Sequence, residues 1–170
     1  MAKIINVTLG ADIPLVISLV KYNDGQPPIP LKASDVTNLQ LSMISFKGER
    51  EQLEWKDYGD DRIITVYHTH ATGAYALEVT GMHDGLRIAS REPTVVKVTF
   101  YNQHDGTPAS EDGYHVDTEV DIYDDPGTGT DEKIAAALAT FFIEKTEDEM
   151  DEMLEQGTWE QDQFYYTVEE

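Results

Sequence analysis

The residues best placed by type and spacing to do chemistry lie between 115 and 125. There His115, Asp117, Glu119 and Asp121 alternate with other residues, and Asp124 and Asp125 follow. On an extended strand this alternation puts the four on one face, and carboxylate oxygens so arranged suit a hard cation such as calcium. The segment lacks the loop spacing and turn-forming glycine of a calcium loop, and side chains two apart on a strand converge weakly. A solvated outer face is therefore favoured. His68 and His70 offer two nitrogen ligands for zinc, but two are not a site and spacing places no third. Carboxylates are so numerous that a pair at acid–base distance would arise by chance. No nucleophile elbow is present and no glycine-rich phosphate loop precedes a helix, so Gly127 and Gly129 read as linker. Cysteine is absent, which removes thiolate catalysis, thiolate metal sites and disulfides. The expectation is a protein that is not an enzyme, with no cofactor and no metal.

The remaining candidates are apolar. Ile134, Leu138, Phe141 and Phe142 recur at helical spacing, and Trp159, Phe164, Tyr165 and Tyr166 form an aromatic terminal segment. Both are candidate partner-binding surfaces, the first as a helix docking into a neighbouring subunit's groove and the second as an added strand or a cover for a partner. Packing of the helix on its own β-domain is an equally weighted alternative. Trp55, Tyr58 and Tyr67 are a further set able to stack on sugars, which makes a carbohydrate- or cell-surface-binding module the rival function.

The elements that must position these residues are mostly strands. Ile13, Leu15, Ile17 and Leu19 alternate strictly, predicting a strand with one core-facing side. Pro27, Pro28 and Pro30 confine their segment to a sheet edge. Val36, Leu39, Leu41, Met43, Ile44 and Phe46 predict a strand with a β-bulge between Leu41 and Ile44. Further strands are expected over 52–56, 62–68, 74–80 and 94–101, with a short edge strand over 86–89 and a last strand over 114–122. Leu15, Ile17, Leu19, Leu41, Ile64, Val66, Leu77, Val79, Val96 and Val98 are the expected inward set. Short strands at regular spacing, separated by Gly/Asp/Asn turns, predict an antiparallel sandwich, most simply an immunoglobulin-like one. Two helical starts follow: Thr130 as an N-cap, and Thr146 with Glu149 as a capping box ahead of Met150, Met153 and Leu154, stopped by Gly157. The fold class is mainly β, an immunoglobulin-like antiparallel β-sandwich over 1–123 with a short acidic helical extension and tail over 124–170.

Charge divides the chain in the same way. Residues 1–104 hold twelve Asp/Glu against ten Lys/Arg, whereas 105–170 hold twenty-one against Lys133 and Lys145 alone, of a total net charge of −21. Such a field repels nucleic acid and anionic membrane and attracts basic surfaces. The partners expected are proteins, in a homo-oligomer or with basic surfaces, and the acidic extension is expected to order only in the assembly. The N-terminus has Asp12 and Pro14 where a signal peptide has its apolar core, and no run reaches membrane-spanning length, so synthesis in a cytoplasm is expected.

The run Gly10-Ala11-Asp12-Ile13-Pro14-Leu15-Val16-Ile17-Ser18-Leu19, then Asp24-Gly25-Gln26-Pro27-Pro28-Ile29-Pro30-Leu31, then Ala33 and Val36 opening a strand, resembles the N-terminal immunoglobulin-like domain of phage baseplate-upper and fibre proteins. The likeness covers about the first hundred residues. Ser34-Asp35 depart from the small turn usual after the leucine, and nothing beyond Asn102 resembles a fibre shaft or receptor-binding tip. The resemblance implies an attachment role in a virion, as a head-fibre, decoration or tail-fibre adaptor that contacts other virion proteins, with no catalytic residues to carry over.

Overall fold

Alternation does set the first long strand. After β1 (Lys3–Thr8), β2 (Asp12–Lys21) turns Ile13, Leu15, Ile17 and Leu19 inward, none more than 4 % exposed. The structure is a computed structural model, and it describes residues 3–59, 61–90, 93–100, 107–109, 113–124, 130–158 and 163–167. β3 (Ile29–Leu31) borders β2 along the proline-rich segment, and the chain then runs through β4 (Thr37–Ile44), β5 (Arg50–Leu53), β6 (Trp55–Tyr58) and β7 (Arg62–His68). β8 (Gly73–His83) and β9 (Leu86–Ser90) form a hairpin. Its two-residue turn holds Asp84 and Gly85 at φ 51° and 77°, the paired positive angles that match strand twist. β10 (Thr94–Thr99), β11 (Thr107–Ala109) and β12 (Gly113–Asp124) complete the sheet.

These twelve strands make one mixed sheet in the order β1-β10-β8-β9-β12-β2-β7-β6, with β4 on β8, β5 on β4, β3 on β2 and β11 on β12. Two stretches bend it around a shared core. Arg50–Leu53 borders β4 and Trp55–Tyr58 borders β7, with only Glu54 between them; the Thr65 hydroxyl donates to the Glu54 carbonyl at 2.6 Å and the Trp55 indole to the Leu39 carbonyl at 3.1 Å. Likewise β9 borders β12 while β10 borders β1. Ile5, Ile17, Leu41, Leu77, Val98 and Ile122 thereby meet in one apolar cluster.

The chain is mainly β, as expected, but the sheet is not purely antiparallel. β1 runs parallel to β10 and β2 parallel to β12. Local turns create antiparallel hairpins, whereas these pairs join strands some ninety or more residues apart, beyond the reach of any turn signal. Three further differences have local causes. In β7 the inward residues are Ile63, Thr65 and Tyr67, so Ile64 and Val66 lie on the outer face, Val66 at 41 % exposure; a one-residue slip exchanges faces where both carry apolar residues. The bulge in β4 falls between Thr37 and Gln40, not between Leu41 and Ile44. β9 is an interior strand paired on both sides, not an edge.

Met43 and Ile44 are both buried because β4 is covered on both faces. On the outer face lies α1 (Thr130–Ala139), whose Ile134 and Leu138 join Ile44, Ala74, Ala76 and Val95 in a second cluster. Alanine at 74 and 76 leaves room for the helix, and burying Ile134 and Leu138 contributes about 1.5–3 kcal/mol each. The helix ends at Ala139, so Phe141 and Phe142 are not on its stripe. Phe142 instead opens β13 (Phe142–Glu144), which pairs in parallel with β14 (Phe164–Tyr166). Between them α2 (Glu147–Gln156) makes the crossover, since parallel neighbours cannot be joined by a tight turn. The acidic extension is thus a small βαβ unit following a helix laid on the chain's own sheet.

Candidate functional site

The apolar candidates converge where this unit meets the sheet. Phe46, in the turn after β4, stacks on Phe142 with ring centroids 4.1 Å apart and meets Tyr166 edge-on at 5.3 Å; Phe142 also lies 5.3 Å from Phe164. The ammonium of Lys97, itself buried on β10, sits 5.8 Å above the Phe141 ring. Ile134 and Leu138 are buried beneath, against the sheet, and so hold the unit in place instead of facing outward. Phe164, Tyr165 and Tyr166 are half-buried, and Trp159 lies outside the described residues.

Two grooves flank β13 and β14 and share Thr72, Phe142 and Tyr165. The wider, about 940 Å³, mixes rings with charge: Tyr75, Tyr166 and His70 beside Glu49, Arg50 and Glu51. The narrower, about 360 Å³, runs between α2 and the strand pair over Met150, Met153, Leu154 and Phe164. α2 starts with the expected capping box: the Thr146 hydroxyl accepts from the Glu149 amide at 3.2 Å and the Glu149 carboxylate accepts from the Thr146 amide at 2.9 Å. That backbone hydrogen bond lowers the Glu149 pKa, so the stabilisation is present above the ordinary carboxylate range and is lost as pH falls through the lowered value. Gly157 closes the helix in the left-handed conformation. Thr146→Ala should cost about 1 kcal/mol of local stability and speed amide exchange across α2 while leaving β2 and β8 protected.

Nothing in α2 is buried, and Leu154 is 66 % exposed. Six of its ten residues are carboxylates and none is basic. Glu147 and Asp151, Asp148 and Glu152, and Asp151 and Glu155 are like-charged pairs at i,i+4, each unfavourable by about 0.2–0.5 kcal/mol. Glu155 also sits in the last turn, where the helix dipole disfavours negative charge. A ten-residue helix with these handicaps gains little by itself.

Beneath the wider groove Tyr67, Tyr75 and His70 form a ring cluster with centroids 6.0–6.4 Å apart. Burial, then Tyr75 and Glu51, push the Tyr67 phenol well above its ordinary pKa, and burial followed by Glu49 and Glu51 raises Tyr75. The Tyr67 hydroxyl is buried and has no hydrogen-bond partner among the described residues. Tyr67→Phe removes that unsatisfied group, so thermal unfolding should show unchanged or higher stability, by about 1 kcal/mol. A loss above that size would mean the hydroxyl is bonded.

No protein-family model, curated protein or solved structure matches this chain. The site is therefore read from geometry.

The other sequence candidates are dispersed. Asp117 lies near Arg62 at 3.7 Å and His115 at 3.5 Å, Lys3 bonds the Glu119 carbonyl, and Asp124 pairs with Lys21 at 3.3 Å; Asp125 falls outside the described residues. His68 pairs with Asp12 at 2.7 Å, and His70, past the end of β7, lies 3.4 Å from Glu51. Among the described residues no three His, Asp or Glu side chains converge to hold a metal, and no helix is long and apolar enough to cross a membrane. Tyr67 is in the core, Trp55 is bonded to Leu39, and Tyr58 carries the Arg62 guanidinium 5.3 Å above its ring, so those three aromatics form no common platform. Phe46, read in the sequence only as a strand residue, and Thr72 and Gln163, which carried no signal there, line the grooves.

Proposed function

We propose that this chain is a non-enzymatic structural protein of a phage virion, a head-fibre, decoration or tail-fibre adaptor that attaches to other virion proteins through its acidic C-terminal unit. The bent sheet with its shared core is then an immunoglobulin-like sandwich, mixed in strand direction, that serves as the rigid base. One observation carries the reading: a βαβ unit is fixed to the sheet by Ile134 and Leu138, yet no residue of its helix is fully buried and Leu154 is left in water. Holding an apolar, acid-rimmed surface in place without covering it suits docking. The resemblance of residues 10–36 to phage attachment domains supplies the setting. Mass-spectrometric analysis of virions purified from the source should find the chain at a fixed ratio to a capsid or tail protein. Absence from particles that assemble normally would overturn the assignment.

The wider groove favours a second reading, a carbohydrate- or cell-surface-binding module, because Tyr75 and Tyr166 stand beside Glu49, Arg50, Glu51 and His70 as stacking rings beside hydrogen-bonding groups. A glycan array without a hit would remove it.

A further inference from the structure

We infer that the groove between α2 and the β13–β14 pair receives a basic amphipathic helix from a partner protein. Its apolar face would rest on Met150, Met153, Leu154 and Phe164, with Lys or Arg side chains against the α2 carboxylates. The inference rests on the docking reading above and specifies the partner's chemistry.

Three observations converge. The groove, about 360 Å³, is floored by Phe142, Phe164 and Tyr165 and walled by the α2 stripe, and methionine side chains adapt their shape to differing apolar faces. Its rim is acidic: Glu147 and Asp151 border the Met150–Leu154 stripe at helical spacing, on a helix without a basic residue. Lys or Arg on the incoming helix relieves the i,i+4 repulsion between Glu147 and Asp151. Finally, Gln163 lines the groove with its side-chain oxygen buried and, among the described residues, without a hydrogen-bond donor. A second copy of this chain is a poor occupant because it brings the same acidic surface, and nucleic acid or an anionic membrane is repelled by it. An amphipathic helix laid in an apolar groove is an established recognition mode, and the acidic rim selects its basic form.

The probe is a fluorescein-labelled synthetic peptide of Lys and Leu, with the leucines at helical spacing, titrated into the full chain and followed by anisotropy. A scrambled isomer of identical composition is the control. The expected result is saturable 1:1 binding at least about tenfold tighter for the helical peptide than for the scramble, a clear specificity margin. Leu154→Ser should weaken it by a similar factor without moving the melting temperature, since Leu154 is exposed. Glu147→Gln with Asp151→Asn should flatten its salt dependence. Equal binding of the two peptides would reduce the effect to bulk charge and overturn the inference, as would unchanged affinity in Leu154→Ser. Sedimentation showing a concentration-dependent dimer abolished by Leu154→Ser would assign the groove to a second copy and overturn it too. Peptide binding by a chain that is absent from virions would support the groove and overturn the virion assignment alone.

Discussion

Ile17→Ala is expected to lower the free energy of unfolding by about 2–5 kcal/mol, among the largest losses available from a single truncation in this chain. Ile17 is fully buried at the middle of β2, in register with Thr118 on β12 and Ile63 on β7. Removing its branched side chain opens a cavity between two strands whose pairing holds the sheet together, and neither neighbour can close it without breaking register. Since domains of this size are stable by about 5–15 kcal/mol, the variant should unfold at markedly lower denaturant concentration with an unchanged slope. A loss below about 0.5 kcal/mol would mean that β2 is peripheral.

The second large effect is expected from Leu138→Asp. Leu138 is 1 % exposed, among Ile44, Ala74, Ala76, Val95 and Ile134. A carboxylate there is surrounded by apolar side chains, and burying a charge in such a cluster costs about 3–5 kcal/mol. The unit from α1 onward should detach, losing helical circular dichroism, while the sheet persists because its core lies on the other face of β4 and β8. Oligomeric state should not change. Dissociation of an oligomer with no fall in melting temperature would show instead that α1 docks on a neighbouring subunit.

What the sequence conveyed depended on whether the cause was local. The alternation of β2 follows from side-chain direction in a strand, and the Thr146–Glu149 capping box lies within one helical turn, so both were legible. The faces of β7 were not, because Arg-Ile-Ile-Thr-Val-Tyr-His carries apolar residues on both sides. The irregularity at Met43 and Ile44 resembled a bulge but reflects a second layer: α1, some ninety residues later, covers the outer face. The spacing of Leu138, Phe141 and Phe142 suggested one helix, whereas β-prone Phe-Ile after Thr140 forms a strand as soon as β14 is available to pair. The groove between α2 and the β13–β14 pair was hidden for the same reason. Its lining from 72, 142, 150–154 and 163–165 is assembled only by the parallel pairing of β13 with β14.

Amide hydrogen exchange on the isolated full chain at low concentration tests most directly whether the acidic segment belongs to its own sheet while offering α2 to a partner. The account predicts slow exchange through Ile134 and Leu138, close to that of β8, alongside weaker protection in α2 that strengthens when the basic amphipathic peptide is added. Fast exchange throughout α1 in the monomer would contradict it, because the segment would then order only in an assembly and the groove would not exist beforehand.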